Sequence, residues 1–371
     1  MESKRCTKTY QGWGTLGLHA IFPVAGEKQK LQTTRRQFSK SDTASWVLPL
    51  MPRTFLIDTD TASDDAVALI MALRSTQIQV AAITVVAGNV PVQQATSNAL
   101  YTTELCGSDV PVYSGAEAPL KRKLVTADWF HGADGLGDHG YKPAKRHAEP
   151  LHAVDAIIKT VLAHPGIEVV TLGPLTNLAL ALSREPKLAA NVARCIVMGG
   201  APCCEGNVTP AAEFNIWVDP EAARIVFGAG LPIEMVGWHL CRGAAALNPQ
   251  DIEAVLAFKT PVGEFAIRSN STAAQAYFKQ TGEKGISLPD PVAMSIALHP
   301  ALCKSASTHF VDIETSSELT RGMTVVDRLN VAADSRNREI WASTLERQGK
   351  AHICWTLDVP GWKAALYSAL R

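Results

Sequence analysis

The run Leu56-Ile57-Asp58-Thr59-Asp60-Thr61-Ala62-Ser63-Asp64-Asp65 places four carboxylates within eight residues. Like charges this close repel one another, and burial makes each of them costlier still. Such a cluster persists if a hard cation gathers the carboxylates, or if water reaches all of them. An EF-hand loop is excluded by spacing, because its sixth position would be Ser63 and its twelfth Leu69, where that loop needs glycine and glutamate.

The flanking elements decide where the acids sit. Residues 54–57 read as a buried strand and 66–73 as the first turns of a buried helix. The carboxylates therefore lie at the carboxyl end of a strand, the edge at which open α/β sheets bind ligands. From Thr54 onward the two patterns alternate. Residues 80–86, 110–113, 168–172, 195–198 and 232–236 read as strands, and 92–105, 153–163, 175–183 and 220–227 as helices. Asp219 before Pro220 is a helix N-cap with proline at the first turn. The alternation predicts an α/β fold, an open and mainly parallel sheet flanked by helices on both faces. Residues 248–298 read as a helical cap section over the pocket, and 308–371 as short strands closing with a helix. Residues 51–371 are expected to form one catalytic domain.

Composition narrows the function. Of 371 residues 47% are hydrophobic, ample for a core, and 35 Lys plus Arg balance 35 Asp plus Glu. A neutral chain offers no electrostatic footprint for nucleic acid or a membrane surface. No apolar run approaches the roughly 20 residues of a spanning helix. Eight cysteines include no Cys-x-x-Cys pair, and Cys203 and Cys204 are adjacent. We read all of them as reduced thiols of a cytoplasmic protein, and expect no zinc site. Residues 1–50 are polar and aperiodic, the pattern of a disordered leader. Within it Thr34-Arg35-Arg36-Gln37-Phe38-Ser39-Lys40 is similar to a twin-arginine export signal. The apolar stretch behind it is short and broken by Pro49, so we read a chance match. Met51, directly before the first strand, is a second candidate start.

Further polar segments follow predicted strands. They are Ala87-Gly88-Asn89, Leu172-Gly173-Pro174-Leu175-Thr176-Asn177, Glu205-Gly206-Asn207 and Glu213-Phe214-Asn215 after Met198-Gly199-Gly200, and Pro289-Asp290-Pro291 at a helix start. Singly each is a turn former or a cap. Together with Asp58-x-Asp60-x-x-x-Asp64-Asp65, and with His131-Gly132, they resemble the signature of the inosine–uridine nucleoside hydrolase family, in the family's order and over residues 51–371.

That resemblance implies hydrolysis of the N-glycosidic bond of ribonucleosides, one bound Ca²⁺, and a homo-oligomer, dimer or tetramer. It implies metal ligation by Asp60, Asp65, Asp290 and the backbone carbonyl of Leu172, a set of oxygens that suits calcium. The ribose 2′- and 3′-hydroxyls and a water would complete the shell. The metal would make that water more acidic, with Asp60 beside it as general base. Asp64 would accept from the 2′-hydroxyl, Asn89 would bind near the 3′-hydroxyl, and Asn207, Glu213 and Asn215 would hold the 5′- and 3′-hydroxyls. Loss of the base leaves an oxocarbenium-like sugar, which these oxygens favour.

The chain departs from the family where many members carry a histidine before the last metal-binding aspartate. Pro289 stands there and has no proton to give. His131 is the candidate replacement. Trp129 or Phe130 could stack on the base, and Tyr277, on the helical section, could contact it. A second departure is His239, where relatives often show aspartate. Two rival readings compete. One is a haloacid-dehalogenase-type Mg²⁺ phosphatase with Asp58 as nucleophile, and the other a Ca²⁺-dependent nucleoside binder that has lost turnover.

Overall fold

Phe55 and Ile57 belong to one apolar core and Leu56 to another, so the first strand is buried on both faces by the ordinary alternation of side chains. The computed structural model describes residues 52–347 and 349–371. The predicted leader, with Arg35 and Arg36, lies outside them.

The strands are β1 (Arg53–Thr59), β2 (Ile78–Val85), β3 (Val112–Ser114), β4 (Ile167–Thr171), β5 (Val192–Met198), β6 (Ile233–Val236), β7 (Cys303–Ile313), β8 (Thr324–Val326) and β9 (Lys350–Leu357). They form one sheet in the order β3-β2-β1-β4-β5-β6-β9-β7-β8. The pairs from β3 through β9 are parallel, and β7 runs antiparallel to both β9 and β8. The chain builds outward from β1 to β3, then returns to lay β4 on the other side of β1. The reversal point between β1 and β4 is where such sheets open a ligand crevice. Thr59 and Leu172, at the ends of these two strands, flank it.

The helices are α1 (Ser63–Leu73), α2 (Val92–Leu105), α3 (Asp128–His131), α4 (Ala153–Ala163), α5 (Thr176–Arg184), α6 (Phe214–Val218) and α7 (Pro220–Gly228). They continue with α8 (Pro249–Leu256), α9 (Pro261–Ser269), α10 (Ser271–Thr281), α11 (Pro289–Leu298), α12 (Ser335–Ile340), α13 (Ala342–Leu345) and α14 (Val359–Leu370). One core joins β1 and β2 to α1, α2, α9, α11 and α14, and the other joins β4, β5 and β6 to α4, α5 and α7. Among the described residues no helix is long and apolar enough to cross a membrane. Asp219 caps α7 as expected, its Oδ1 accepting from the Ala222 amide at 3.0 Å.

Two helices matter most for the site. Residues 63–72 of α1 are buried all round, as are residues 290–298 of α11, which suits helices apolar on every side. The C-terminus of α11 is clamped by a ladder of charges across the amino end of the sheet. Arg53 meets Glu168 at 2.7 Å, Arg194 meets Glu168 at 2.8 Å and Glu234 at 2.5 Å. Both arginines also donate to the last carbonyls of α11, Arg53 to Leu298 at 3.0 Å and Arg194 to Ala297 at 3.4 Å. Cations at a helix C-terminus satisfy its free carbonyls and its dipole. The clamp fixes the axial position of a helix about 15 Å long, with Asp290 at its other end.

The structure corrects two expectations. The C-terminal part does not begin with a short strand: β7 has 11 residues and starts at Cys303. Its first half is polar and largely outside the core, so no apolar alternation marks it. The cysteines are not all thiols, because Cys303 and Cys354 are bonded to each other. They lie 51 residues apart on antiparallel neighbours β7 and β9, a pairing that only the strand register reveals. Cys106, Cys195, Cys203, Cys204 and Cys241 are free.

Candidate active site

Asp64 and Asp65 occupy the first turn of α1, where the unpaired amides and dipole of a helix N-terminus favour negative charge. Asp290 occupies the first turn of α11, behind Pro289. The two helices bring these three buried side chains together, with one carboxylate oxygen of each within 4.8 Å of the others. Asp65 is held firmly: its Oδ1 accepts from Thr59 Oγ1 at 2.6 Å and its Oδ2 from the Ala62 amide at 2.9 Å. Asn98 braces the intervening loop by donating to the Thr61 carbonyl at 2.9 Å.

Asp60 adjoins this trio from below. It is fully buried and its Oδ2 accepts from the Asn89 amide at 2.6 Å. Asp60 Oδ1 and Asp64 Oδ1 are buried without a hydrogen-bond partner among the described residues. Two glycines make room for Asp60. A Cβ on Gly88 would stand 2.1 Å from its Oδ2, and one on Gly173 would stand 2.5 Å from its Oδ1.

This crowding has an electrostatic signature. Burial pushes Asp64 up to about 6, and burial with the Asp64 charge pushes Asp65 up to about 6. Burial and the neighbouring Asp65 charge raise Asp60 well above the usual carboxylate range. Asp290 is raised likewise by burial and then by Asp65, Asp64 and Asp60. Asp64, Asp65 and Asp290 are so placed that they could hold a hard cation, which would relieve the repulsion and satisfy the orphaned oxygens.

Above them opens a cleft lined among others by Asp64, Asn89, Trp129, Phe130, His131, Asn207, Glu213, Asn215 and Asp290. Its mixture of aromatic walls and convergent polar groups suits a small-molecule ligand. Glu213 is nearly fully buried and caps α6, accepting from the Asn215 amide at 2.9 Å and from the Gly200 amide at 2.7 Å. Burial raises its pKa above the usual carboxylate range. Asn215 donates to the Leu172 carbonyl at 2.7 Å, which ties α6 to the end of β4. Asn207 Oδ1 accepts from the Phe214 amide at 2.9 Å and so pins its loop to the same helix. Asn89 and α3 are joined by the Ala127 amide, which donates to the Asn89 carbonyl at 2.8 Å. His131 is buried, its Nδ1 lies 2.9 Å from Ser63 Oγ, and burial lowers its pKa to about 4, so the ring is neutral near pH 7.

The sequence-derived set thus converges, with differences. Tyr277 does not line the cleft. It is buried beside it, with its hydroxyl donating to Glu283. Gln280, one turn further along α10, lines the cleft instead and donates to the Asn207 carbonyl. Asp58 lies behind the sheet edge, its Oδ1 accepting from Thr84 Oγ1 at 2.6 Å and Asn177 Nδ2 at 2.9 Å. A nucleophile buried in that way cannot meet a phosphate, which removes the phosphatase reading. His239 turns from the cleft to the Cys354 carbonyl at 3.0 Å, whereas its neighbour Trp238 lines the cleft. Trp238 and Gln280 were missed from sequence. Each lies beside a residue singled out, and local pattern does not say which neighbour faces inward.

Comparison with known proteins agrees with this geometry. The family model described as inosine-uridine preferring nucleoside hydrolase matches residues 55–364. An uncharacterised Schizosaccharomyces pombe protein, C1683.06c, is 41% identical over 277 residues, 73% of this chain and 88% of that protein. The pyrimidine-specific ribonucleoside hydrolase RihA of Shewanella sp. strain ANA-3 is 39% identical over 303 residues, 81% of this chain and 94% of its own. Among solved structures, a plant nucleoside hydrolase, the PpNRh1 enzyme, superposes with a TM-score of 0.80 at 33% identity, covering 86% of this chain and 99% of that one. A chain with this sheet, this acidic floor and this extent of match belongs to the inosine–uridine preferring nucleoside hydrolase family.

Proposed function

We propose that the protein is a Ca²⁺-dependent ribonucleoside hydrolase that splits the N-glycosidic bond to give free base and ribose. The observation that carries this reading is the meeting of Asp64, Asp65 and Asp290 at the floor of a polar cleft, with Asp60 beneath. The donor set is entirely hard oxygen, and two of its oxygens, Asp60 Oδ1 and Asp64 Oδ1, are buried without a partner, so the residues fit a calcium ion. Asp60, Asp65, Asp290 and the Leu172 carbonyl would hold it, with Asp64 close enough to join. Bound there, Ca²⁺ would orient the ribose diol and acidify a water.

The rest is the work of side chains. Asp60, raised by burial and fixed by the Asn89 amide, takes the proton of the attacking water. Asp64 accepts from the 2′-hydroxyl and favours the positive charge that develops on the sugar. Asn89, Asn207, Glu213 and Asn215 bind the remaining hydroxyls. Asn215 uses its amide nitrogen on Leu172 and leaves its Oδ1 for the sugar. Substrates lacking the 2′-hydroxyl are expected to fail, since their binding leaves buried polar groups unpaired. Trp129, Phe130 and His131 line the cleft, where the two aromatic rings would stack on the base and His131 would donate to it as it leaves. We further propose a homo-oligomer, with residues 51–371 as the catalytic domain.

The test is a panel of inosine, uridine, 2′-deoxyuridine and a nitrophenyl riboside, assayed with calcium and with chelator. Release of base and ribose that stops on chelation and in Asp60→Ala supports the proposal. Binding without release from any of these would leave a nucleoside binder and overturn it, as would turnover indifferent to chelator.

A further inference from the structure

His131 brings one ring nitrogen to the protein and keeps the other for the cleft. Its Nδ1 lies 2.9 Å from Ser63 Oγ, and its Nε2 makes no hydrogen bond among the described residues. Ser63, the first residue of α1, is fully buried. Its hydroxyl proton needs an acceptor, and among the described residues His131 Nδ1 is the one hydrogen-bond partner of that oxygen. Were His131 to donate from Nδ1, the buried hydroxyl proton would have nowhere to go, the more costly of the two arrangements. Asp64 Oδ1 does not change this, since at 3.8 Å from Nδ1 it is beyond hydrogen-bond length. The serine backbone is itself held in place, because Asn270 Nδ2, just before α10, donates to the Ser63 carbonyl at 3.1 Å. The histidine is braced as well, its carbonyl accepting from the Gly137 amide at 2.9 Å.

We infer that Ser63 is a positioning residue that donates to Nδ1 and thereby fixes His131 as the Nε2–H tautomer, aiming an N–H donor at the departing base. The inference rests on the hydrolase reading above and deepens it. As the glycosidic bond breaks, its electron pair moves onto the base, whose ring nitrogen or carbonyl oxygen becomes a stronger acceptor. A fixed N–H donor stabilises that charge without itself losing a proton. Pro289, which cannot donate, leaves this task open at the other wall of the cleft. A base with such an acceptor gains from the device, and a nitrophenyl leaving group, already stable as an anion, gains little.

The test uses the full chain in calcium chloride, labelled with ¹⁵N at histidine and with His131 assigned through His131→Gln. The wild type is expected to show His131 neutral, protonated at Nε2 and accepting at Nδ1. Ser63→Ala should shift the ring toward the Nδ1–H form and lower kcat for inosine or uridine by about 100-fold. Turnover of the nitrophenyl riboside should stay within about threefold, well under the contribution of one fixed hydrogen-bond donor to a developing negative charge. Ser63→Thr, which keeps the hydroxyl, should restore tautomer and nucleoside turnover together. The proposal is overturned by a wild-type ring protonated at Nδ1, by Ser63→Ala with unchanged nucleoside turnover, or by an equal loss on both substrates with the tautomer unmoved. A wild type that cleaves no riboside at all refutes the hydrolase reading instead, while the ¹⁵N spectrum still decides the tautomer.

Discussion

Replacing Gly88 with alanine probes the floor of the site without removing a charged group. The new Cβ would stand 2.1 Å from Asp60 Oδ2, about 1.4 Å short of an ordinary contact. Asp60 cannot simply swing aside. A shift toward Gly173 closes on a backbone that already leaves no room for a Cβ, and a shift upward breaks the 2.6 Å hydrogen bond from the Asn89 amide. Either the carboxylate or the 88–89 loop must therefore move by about 1 Å, and a displacement of that size at a reacting group costs about 100-fold in rate. Overpacking adds a stability loss of about 1–3 kcal/mol, too little to unfold a domain of this size.

The assay is steady-state release of free base at saturating nucleoside, with a melting curve beside it. Gly88→Ala should lower kcat by about 100-fold, with KM changed far less and melting lowered by less than about 10 °C. Gly228→Ala is the control, because a Cβ there meets its nearest neighbour, the Arg347 carbonyl, at 3.5 Å. A Gly88→Ala enzyme within twofold of wild type would show that the position of Asp60 does not govern turnover, and would refute the assignment of Asp60 as the base.

The same acids predict how pH and metal act on stability. Asp64 and Asp65 are raised from 3.8 to about 6 by burial, so their contribution to folding is fully present below pH 3.8 and is lost as pH climbs through 6. Each shift is worth about 3 kcal/mol, and Asp60 and Asp290 extend the loss to higher pH. In chelator the protein should melt several degrees lower at pH 7.5 than at pH 5, and calcium should remove most of that difference; an equal slope with and without calcium would contradict the shared site. Asp290→Asn removes one charge from the cluster. It should weaken calcium retention at least tenfold by titration calorimetry while flattening the chelated protein's pH–melting slope, and unchanged calcium affinity would argue against Asp290 as a ligand. Trp129→Ala should raise KM several-fold with kcat little changed, since the ring lines the cleft yet is 58% exposed; a selective fall in kcat would instead give it a part in bond breaking.

How far the sequence could be read depended on whether a property was local. The repulsion among Asp58, Asp60, Asp64 and Asp65 is local, so the choice between a cation and full hydration could be posed at once, and strand–helix alternation placed the cluster at the carboxyl edge of the sheet. The sorting of the four acids is not local. Strand alternation would put Asp58 and Asp60 on one side, but β1 ends at Thr59 and the chain turns there. Asp58 stays behind the edge with Thr84 and Asn177, while Asp60 drops beneath the cleft between two glycines. Both carboxylates of α1 point to Asp290 because α11 packs against that helix and is clamped at its far end by Arg53 and Arg194. Nothing near Asp290 in the chain announces that clamp. Tyr277 and Gln280 repeat the lesson on α10: they share one side of the helix, and a glutamate in the following loop claims the first and leaves the second to face the cleft. Spacing picks out the candidate groups, but their division of labour is set by contacts between segments far apart, and there variants such as Gly88→Ala and Ser63→Ala test what the sequence alone leaves undivided.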